Sequence, residues 1–161
     1  MTLLFKMIYL LFMAAIFMLV PAQNATGQNG DNNSFSLQEF EWERRILVIA
    51  APDRNAEAYR NSLTMLESNR SGMEERHMLI VLLPDSAEPS LMLKAGDQPE
   101  IDPQKLRNQL NLKPDQLSFL LIGKDGGVKM REQDSLSLKS VFNRIDQMPM
   151  RKQEMKKQGD Y

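Results

Sequence analysis

The sequence predicts an α/β domain with a central mixed sheet flanked by helices, in the order β-α-β-α-β-β-α. Three observations carry this. Residues 45–51, 77–83 and 117–123 hold short apolar runs rich in Ile, Leu and Val, the composition of strands buried on both faces. Segments with apolar residues near a helical period lie between and after them. A Lys124-Asp125-Gly126-Gly127 turn follows the third run, and Asp-Gly tolerates the positive φ that a hairpin needs.

The elements follow in order. Residues 35–43 place Phe35, Leu37, Phe40 and Trp42 among three Glu, as a short helix or an irregular arm lying on the domain. Trp42 reads most simply as a core or staple residue. The run 45–51 is a strand stopped by Pro52-Asp53. Residues 55–68 set Ala58, Leu63, Met65 and Leu66 near helical spacing, and Gly72 breaks or ends that helix. The run 77–83 is the second strand, ended by Pro84-Asp85. A strand, a helix and a strand in this order make two parallel strands. Residues 85–100 are a loop in which Leu91-Met92-Leu93 is at most a short strand. Asp102-Pro103 is an N-cap with Pro at the first helical position, opening a helix over 103–110. The third strand, the hairpin turn and a fourth strand over 128–131 come next. Residues 137–147 form an amphipathic helix with Leu138, Val141, Phe142 and Ile145 inward. Pro149 interrupts it, and 150–157 restart as a short basic helix. A parallel pair, a helix, an antiparallel hairpin and a closing helix together give the thioredoxin-like arrangement, since right-handed crossover leaves few other assemblies.

Composition bounds the function. The chain has 161 residues, which suits one domain, and 42% of them are hydrophobic, enough for a packed core. Its formal net charge of −1 gives no global field for nucleic acid, which is not expected as a partner. The absence of Cys excludes disulfides, thiolate metal sites and thiol catalysis. With one His, no His-cluster metal site is possible, and any His-based triad depends on His77. No cofactor and no metal are expected.

Residues 1–22 read as a cleavable signal peptide. Lys6 precedes an apolar run over 7–20, too short to span a bilayer comfortably. Val20-Pro21-Ala22 supplies small residues for cleavage after Ala22, and an uncleaved anchor is the alternative. The mature chain is then secreted or periplasmic, carries a net charge of −2 and makes no membrane contact. Residues 23–34 are a flexible leader rich in Asn, Gly and Gln, 35–157 the folded domain and 158–161 a tail. Asn24-Ala25-Thr26, Asn32-Asn33-Ser34 and Asn69-Arg70-Ser71 fit the N-glycosylation pattern, which matters only in a host that glycosylates.

Four stretches carry a resemblance. They are Arg44-Arg45-Ile46-Leu47-Val48-Ile49-Ala50-Ala51-Pro52, Glu75-Arg76-His77, Leu121-Ile122-Gly123-Lys124-Asp125-Gly126-Gly127-Val128-Lys129, and Ile145-Asp146-Gln147-Met148-Pro149-Met150-Arg151 followed by Glu154-Met155. Together they resemble the DUF4174 family, a domain similar to one repeated in animal extracellular proteins of the coiled-coil-domain-containing 80 and sushi-repeat groups. The resemblance implies a thioredoxin-like fold closest to peroxiredoxins. It also implies relatives that work in the extracellular matrix and in adhesion, and it brings no catalytic residue.

The candidate residues follow from chemistry. In a thioredoxin-like fold the nucleophile sits just after the first strand. Here that segment is Pro52-Asp53-Arg54-Asn55, with no Cys, Ser or Thr, and neither Leu117 nor Ser118 is the Pro that usually precedes the third strand. Thiol peroxidase and disulfide exchange are therefore excluded, and Asp53 and Arg54 become the first choice for a repurposed site in the crevice beyond the strand ends. Lys124, Asp125 and Lys129 are turn residues first, and an anion-binding nest second. Asp146, Arg151 and Glu154 around Met148-Pro149-Met150 read as a terminal lock, with Asp146 or Glu154 pairing Arg151. A Met-lined partner surface is the alternative. Arg151-Lys152 with Lys156-Lys157 reads as a solvated basic face. The leading expectation is a non-catalytic binding module with an envelope or extracellular protein, or a polyanion, as partner. The rivals are an enzyme using Asp53, Arg54, His77 or Lys124, and an assembly protein that uses the 35–43 arm or the Met-rich end.

Overall fold

The structure, a computed structural model, describes residues 34–159 apart from 95, 97 and 98. The signal peptide, the leader up to residue 33 and the last two residues of the tail lie outside the described residues.

The apolar runs become strands because each is buried along its whole length. These are β1 (Arg45–Ala51), β2 (Met78–Pro84) and β4 (Ser118–Ile122). They form the middle of a five-stranded sheet of order β3-β2-β1-β4-β5, completed by β3 (Ser90–Met92) and β5 (Val128–Gln133). β1 runs parallel to β2, with Leu47 opposite Ile80, and antiparallel to β4, with Val48 opposite Leu120. β3 and β5 pair antiparallel on the two edges. The protein is thus α/β with a mixed sheet flanked by helices, consistent with the thioredoxin-like arrangement. The weak patch at 91–93 contributes a fifth strand, β3, beyond the seven-element order read from the sequence.

Side-chain alternation divides the core into two layers. Leu47, Ile49 and Ala51 face α1 (Glu57–Ser68), α2 (Arg70–Glu75) and α4 (Leu138–Asp146), meeting Leu66, Met73, Val141 and Ile145. Ile46, Val48 and Ala50 face α3 (Pro103–Leu110), meeting Leu106 and Leu110, with Leu37 from the 3-10 turn Leu37–Phe40 beside them. The caps explain the helix starts. The Asp102 carboxylate accepts from Lys105 N at 2.9 Å with Pro103 in the first turn, and Ser137 Oγ accepts from Ser140 N at 3.3 Å.

Three expectations are corrected. Gly72 does not end the helix. The break falls at Asn69, and Gly72 lies inside α2, where a Cβ would come 3.0 Å from the Phe142 ring. Close approach, not helix termination, is what requires a glycine there. Trp42 is neither core nor staple: it stands 66% exposed with φ of 66°. The basic terminal helix is not wholly solvated. α5 (Pro149–Gln158) exposes Lys152, Lys156 and Lys157, yet its one buried residue is Arg151, 1% exposed. α4 docks through Leu138, Val141 and Ile145, whereas α5 docks through charge.

Candidate functional site

Where β1 begins, a charged side chain heads an otherwise apolar strand. Arg45 is 1% exposed, and burial of a guanidinium demands partners. Its backbone N donates to His77 O at 2.9 Å, placing it beside the start of β2. Its Nη1 and Nη2 grip the Glu154 carboxylate of α5 at 3.0 and 3.3 Å, a two-point match of planar groups, and Nη1 also donates to Arg76 O at 2.9 Å. Lys124, buried after β4, meets the same carboxylate at 2.8 Å, and its Nζ lies 2.9 Å from His77 Nδ1. That geometry makes Nδ1 the acceptor and the imidazole neutral. Burial pushes the His77 pKa down, and the Lys124 charge pushes it further. At Glu154 burial pushes the carboxyl up, but hydrogen bonds from Arg45 and Lys124 outweigh it and hold the pKa below the ordinary value.

A second set closes the same end. Arg151 Nε donates to Asp146 Oδ1 at 3.3 Å, its Nη1 to Glu75 O at 3.2 Å and its Nη2 to the Glu75 carboxylate. Arg76 Nη2 donates to Asp146 Oδ2 at 2.7 Å, and its guanidinium lies over the Phe142 ring at 4.4 Å. Arg151 therefore pairs with Asp146 and Glu75, while Glu154 turns to Arg45 and Lys124. Residues from β1, α2, the β4–β5 turn, α4 and α5 meet here, and all four stretches behind the family resemblance contribute.

In the turn, Asp125 Oδ1 accepts from Gly127 N at 3.2 Å and Oδ2 from Lys129 Nζ at 2.6 Å. The hydrogen bond from Lys129 is the main reason the Asp125 pKa is lowered. Gly126 has φ of 71°, and a Cβ there would fall 2.7 Å from Glu41 Oε1. Trp42 N donates to Lys124 O at 2.6 Å, which holds the 35–43 arm against this turn.

A cavity of about 520 Å³ opens beside the network. Trp42, Met148, Pro149 and Met150 give it apolar walls, and Arg45, Lys124, Lys129 and Arg144 give it positive charge against Asp125. The Met-Pro-Met segment thus lines a cavity as well as joining two helices.

The expected Asp53–Arg54 site lies at the opposite end. Ile46 pairs with Ile122 and Ala50 with Ser118, so Lys124 follows one end of the sheet and Asp53 the other. At the rise of an extended chain, the seven residues of β1 alone put its two ends roughly 20 Å apart. Asp53 Oδ1 accepts from Asn55 N at 2.9 Å and from Ser86 Oγ at 3.3 Å, and Arg54 N donates to Ser86 Oγ at 3.0 Å. These residues tie two loops together and do not meet Lys124 or His77. Sequence reasoning missed Arg107, 3% exposed, whose Nη2 donates to Leu83 O and meets Asp85 Oδ1, each at 2.6 Å. It also missed Arg144 and the role of Trp42. An Arg opening an apolar run was the available signal for Arg45; Arg107, inside an ordinary polar helix, gave none. Among the described residues, no group of three or more His, Asp or Glu is placed to hold a metal ion, and no helix is long and apolar enough to cross a membrane.

Comparison with known proteins supplies a family. The chain is 30% identical to coiled-coil domain-containing protein 80 of Danio rerio over 137 residues, 74% of this chain and 15% of that protein. It is 31% identical to the sushi repeat-containing protein SRPX of Homo sapiens over 126 residues, 77% of this chain and 27% of that protein. The SRPX protein of Rattus norvegicus gives 31% identity over 121 residues. The chain thus spans less than a third of the length of these curated relatives. No solved structure matches. The family model described as a domain of unknown function, DUF4174, matches residues 36–154, a stretch that takes in every residue of the charged network, and the chain belongs to that family.

Proposed function

We propose that the protein is an exported, non-catalytic binding module that takes its ligand in the cavity beside Trp42. One observation carries this: an exposed indole and two methionines surround an opening whose charged side is held rigid by a closed ion-pair network. The titratable groups nearby are already committed to one another. His77 accepts from Lys124, Lys124 and Arg45 share Glu154, and Lys129 holds Asp125. The Nδ1 lone pair of His77 is taken up by Lys124, so the chain's one imidazole offers no base to the opening. The relatives support a module, because the shared domain is a small part of each. The reading of residues 1–22 as a signal peptide supports export, to a periplasm or beyond the cell.

The test is a ligand screen on the protein purified after export. Metals, anions, nucleotides, glycans and metabolites are scanned by thermal shift and by the emission of Trp42. A ligand at 100 times its Kd should add about 2.7 kcal/mol of stability. The expected result is a shift that Trp42→Ala abolishes. A shift that survives Trp42→Ala would put the site elsewhere, and turnover of any bound compound would overturn the non-catalytic reading.

A further inference from the structure

We infer that the cavity takes an amphiphilic organic anion, with a carboxylate or phosphate head on an acyl or aromatic body. The inference rests on the cavity being the binding site and names its ligand class.

Size comes first. A volume of about 520 Å³ lies within the range of small-molecule sites, roughly 300–1,000 Å³. The walls are apolar and adaptable: Trp42 is 66% exposed, and Met148 and Met150 are half-buried, unbranched side chains that reshape around a guest. Leaving an indole this exposed beside two methionines forgoes burial that a ligand's apolar body would restore.

Charge then selects the head. The lining holds four cations, Arg45, Lys124, Lys129 and Arg144, and one carboxylate, Asp125. Glu154 neutralises one charge from behind, and His77 is neutral, so a positive surplus remains. Arg144 is the clearest source of it. Its Nε donates to Lys129 O at 3.1 Å, which fixes the guanidinium, and it makes no ion pair among the described residues. Lys129 is tied to Asp125 only by an exposed pair, which a second anion can share at little cost. Inside, Arg45 Nε is buried without a partner. A cationic guest would be repelled, and a neutral one would leave the surplus unanswered.

Trp42 is the protein's one tryptophan, so its emission reports this cavity alone. The protein purified after export is titrated with decanoate, decyl phosphate, 1-decanol and decyltrimethylammonium, each below its micelle-forming concentration. We expect decanoate or decyl phosphate to shift the emission with a Kd at least tenfold below that of decanol, and the cation to bind worst. Whichever anion binds more tightly identifies the head. High salt should narrow the tenfold gap, and Arg144→Gln should narrow it by weakening both anions more than decanol. Equal binding of decanol and decanoate would overturn the anion class and leave the cavity as the site. Silence from all four probes, in emission and in Tm, would remove the inference and the cavity reading together.

Discussion

The two ends of the sheet each bury an arginine, and they do it differently. Where β1 begins, Arg45 is enclosed by partners from distant elements: Glu154 of α5, and Arg76 O beyond α2. Where β2 ends, Arg107 takes one carbonyl and one half-exposed carboxylate, Asp85, while its Nε and Nη1 stay unpartnered. The first arrangement joins elements and shapes a cavity. The second pins one helix to one strand. What decides the difference is how many desolvated charges depend on the guanidinium, because removing one member of a buried set strands the others.

The largest expected effect tests this directly. Arg45→Met should cost about 3 kcal/mol, since Glu154 is left mostly buried with Lys124 alone. Arg107→Met should cost less, about 1–2 kcal/mol, because Asp85 can turn to water and only the Leu83 carbonyl loses a buried donor. Urea unfolding of both variants decides it; equal losses would remove the distinction between the two ends.

Acid should dismantle the first end. His77 has a folded pKa below its ordinary 6.5, through burial, through Lys124 and through Arg45 and Arg44, with Glu154 opposing. The unfolded chain therefore binds a proton that the folded form refuses, and stability falls as pH drops below 6.5. Glu154 has a folded pKa below its ordinary 4.5, so its contribution is present above 4.5 and is lost as pH falls through the folded value. Urea midpoints measured between about pH 8 and pH 3 should show two steps. His77→Gln should delete the upper step and Glu154→Gln should shrink the lower, to which Asp125 also contributes; an upper step persisting in His77→Gln would falsify the assignment.

A smaller effect belongs to the turn. Gly126→Ala puts a Cβ at positive φ and against Glu41, and should cost about 1–2 kcal/mol. The arm carrying Trp42 is anchored to this turn, so the emission of Trp42 should shift with the loss. An unchanged spectrum would show that the arm is held by its other anchors, Leu37 and Phe40 on the core and Phe35 N on Glu100 O.

These contrasts show what the sequence could reveal. The strands were legible because their apolar runs have strand length and β-branched content, α3 because Asp102-Pro103 announces its start, and α4 because Leu138, Val141, Phe142 and Ile145 share one face. The site residues were legible as separate stretches through the family resemblance, but their grouping was not. Arg45 and Glu154 stand 109 residues apart, and no local rule pairs them. Gly72 was misread for the same reason: inside a helix a glycine signals a break, and only the ring of Phe142 shows why it is needed. Trp42 was misread because an aromatic residue is core by default, and exposure is a property of the assembled surface.

The smallest expected effect is the most pointed for function. Asp53 is the first choice of sequence reasoning for a repurposed site, yet its carboxylate only holds Asn55 N and Ser86 Oγ at an exposed turn. Asp53→Ala should cost no more than about 1 kcal/mol, the worth of exposed hydrogen bonds. Because Asp53 and Lys124 lie at opposite ends of the sheet, the substitution should leave every Trp42 titration unchanged. Arg54→Ala should behave alike, since only its backbone N reaches Ser86. If either variant instead abolished ligand binding while Tm held, the crevice beyond β1 would be the site after all. The charged end would then be a device for docking α5, and the cavity beside Trp42 a by-product of that docking.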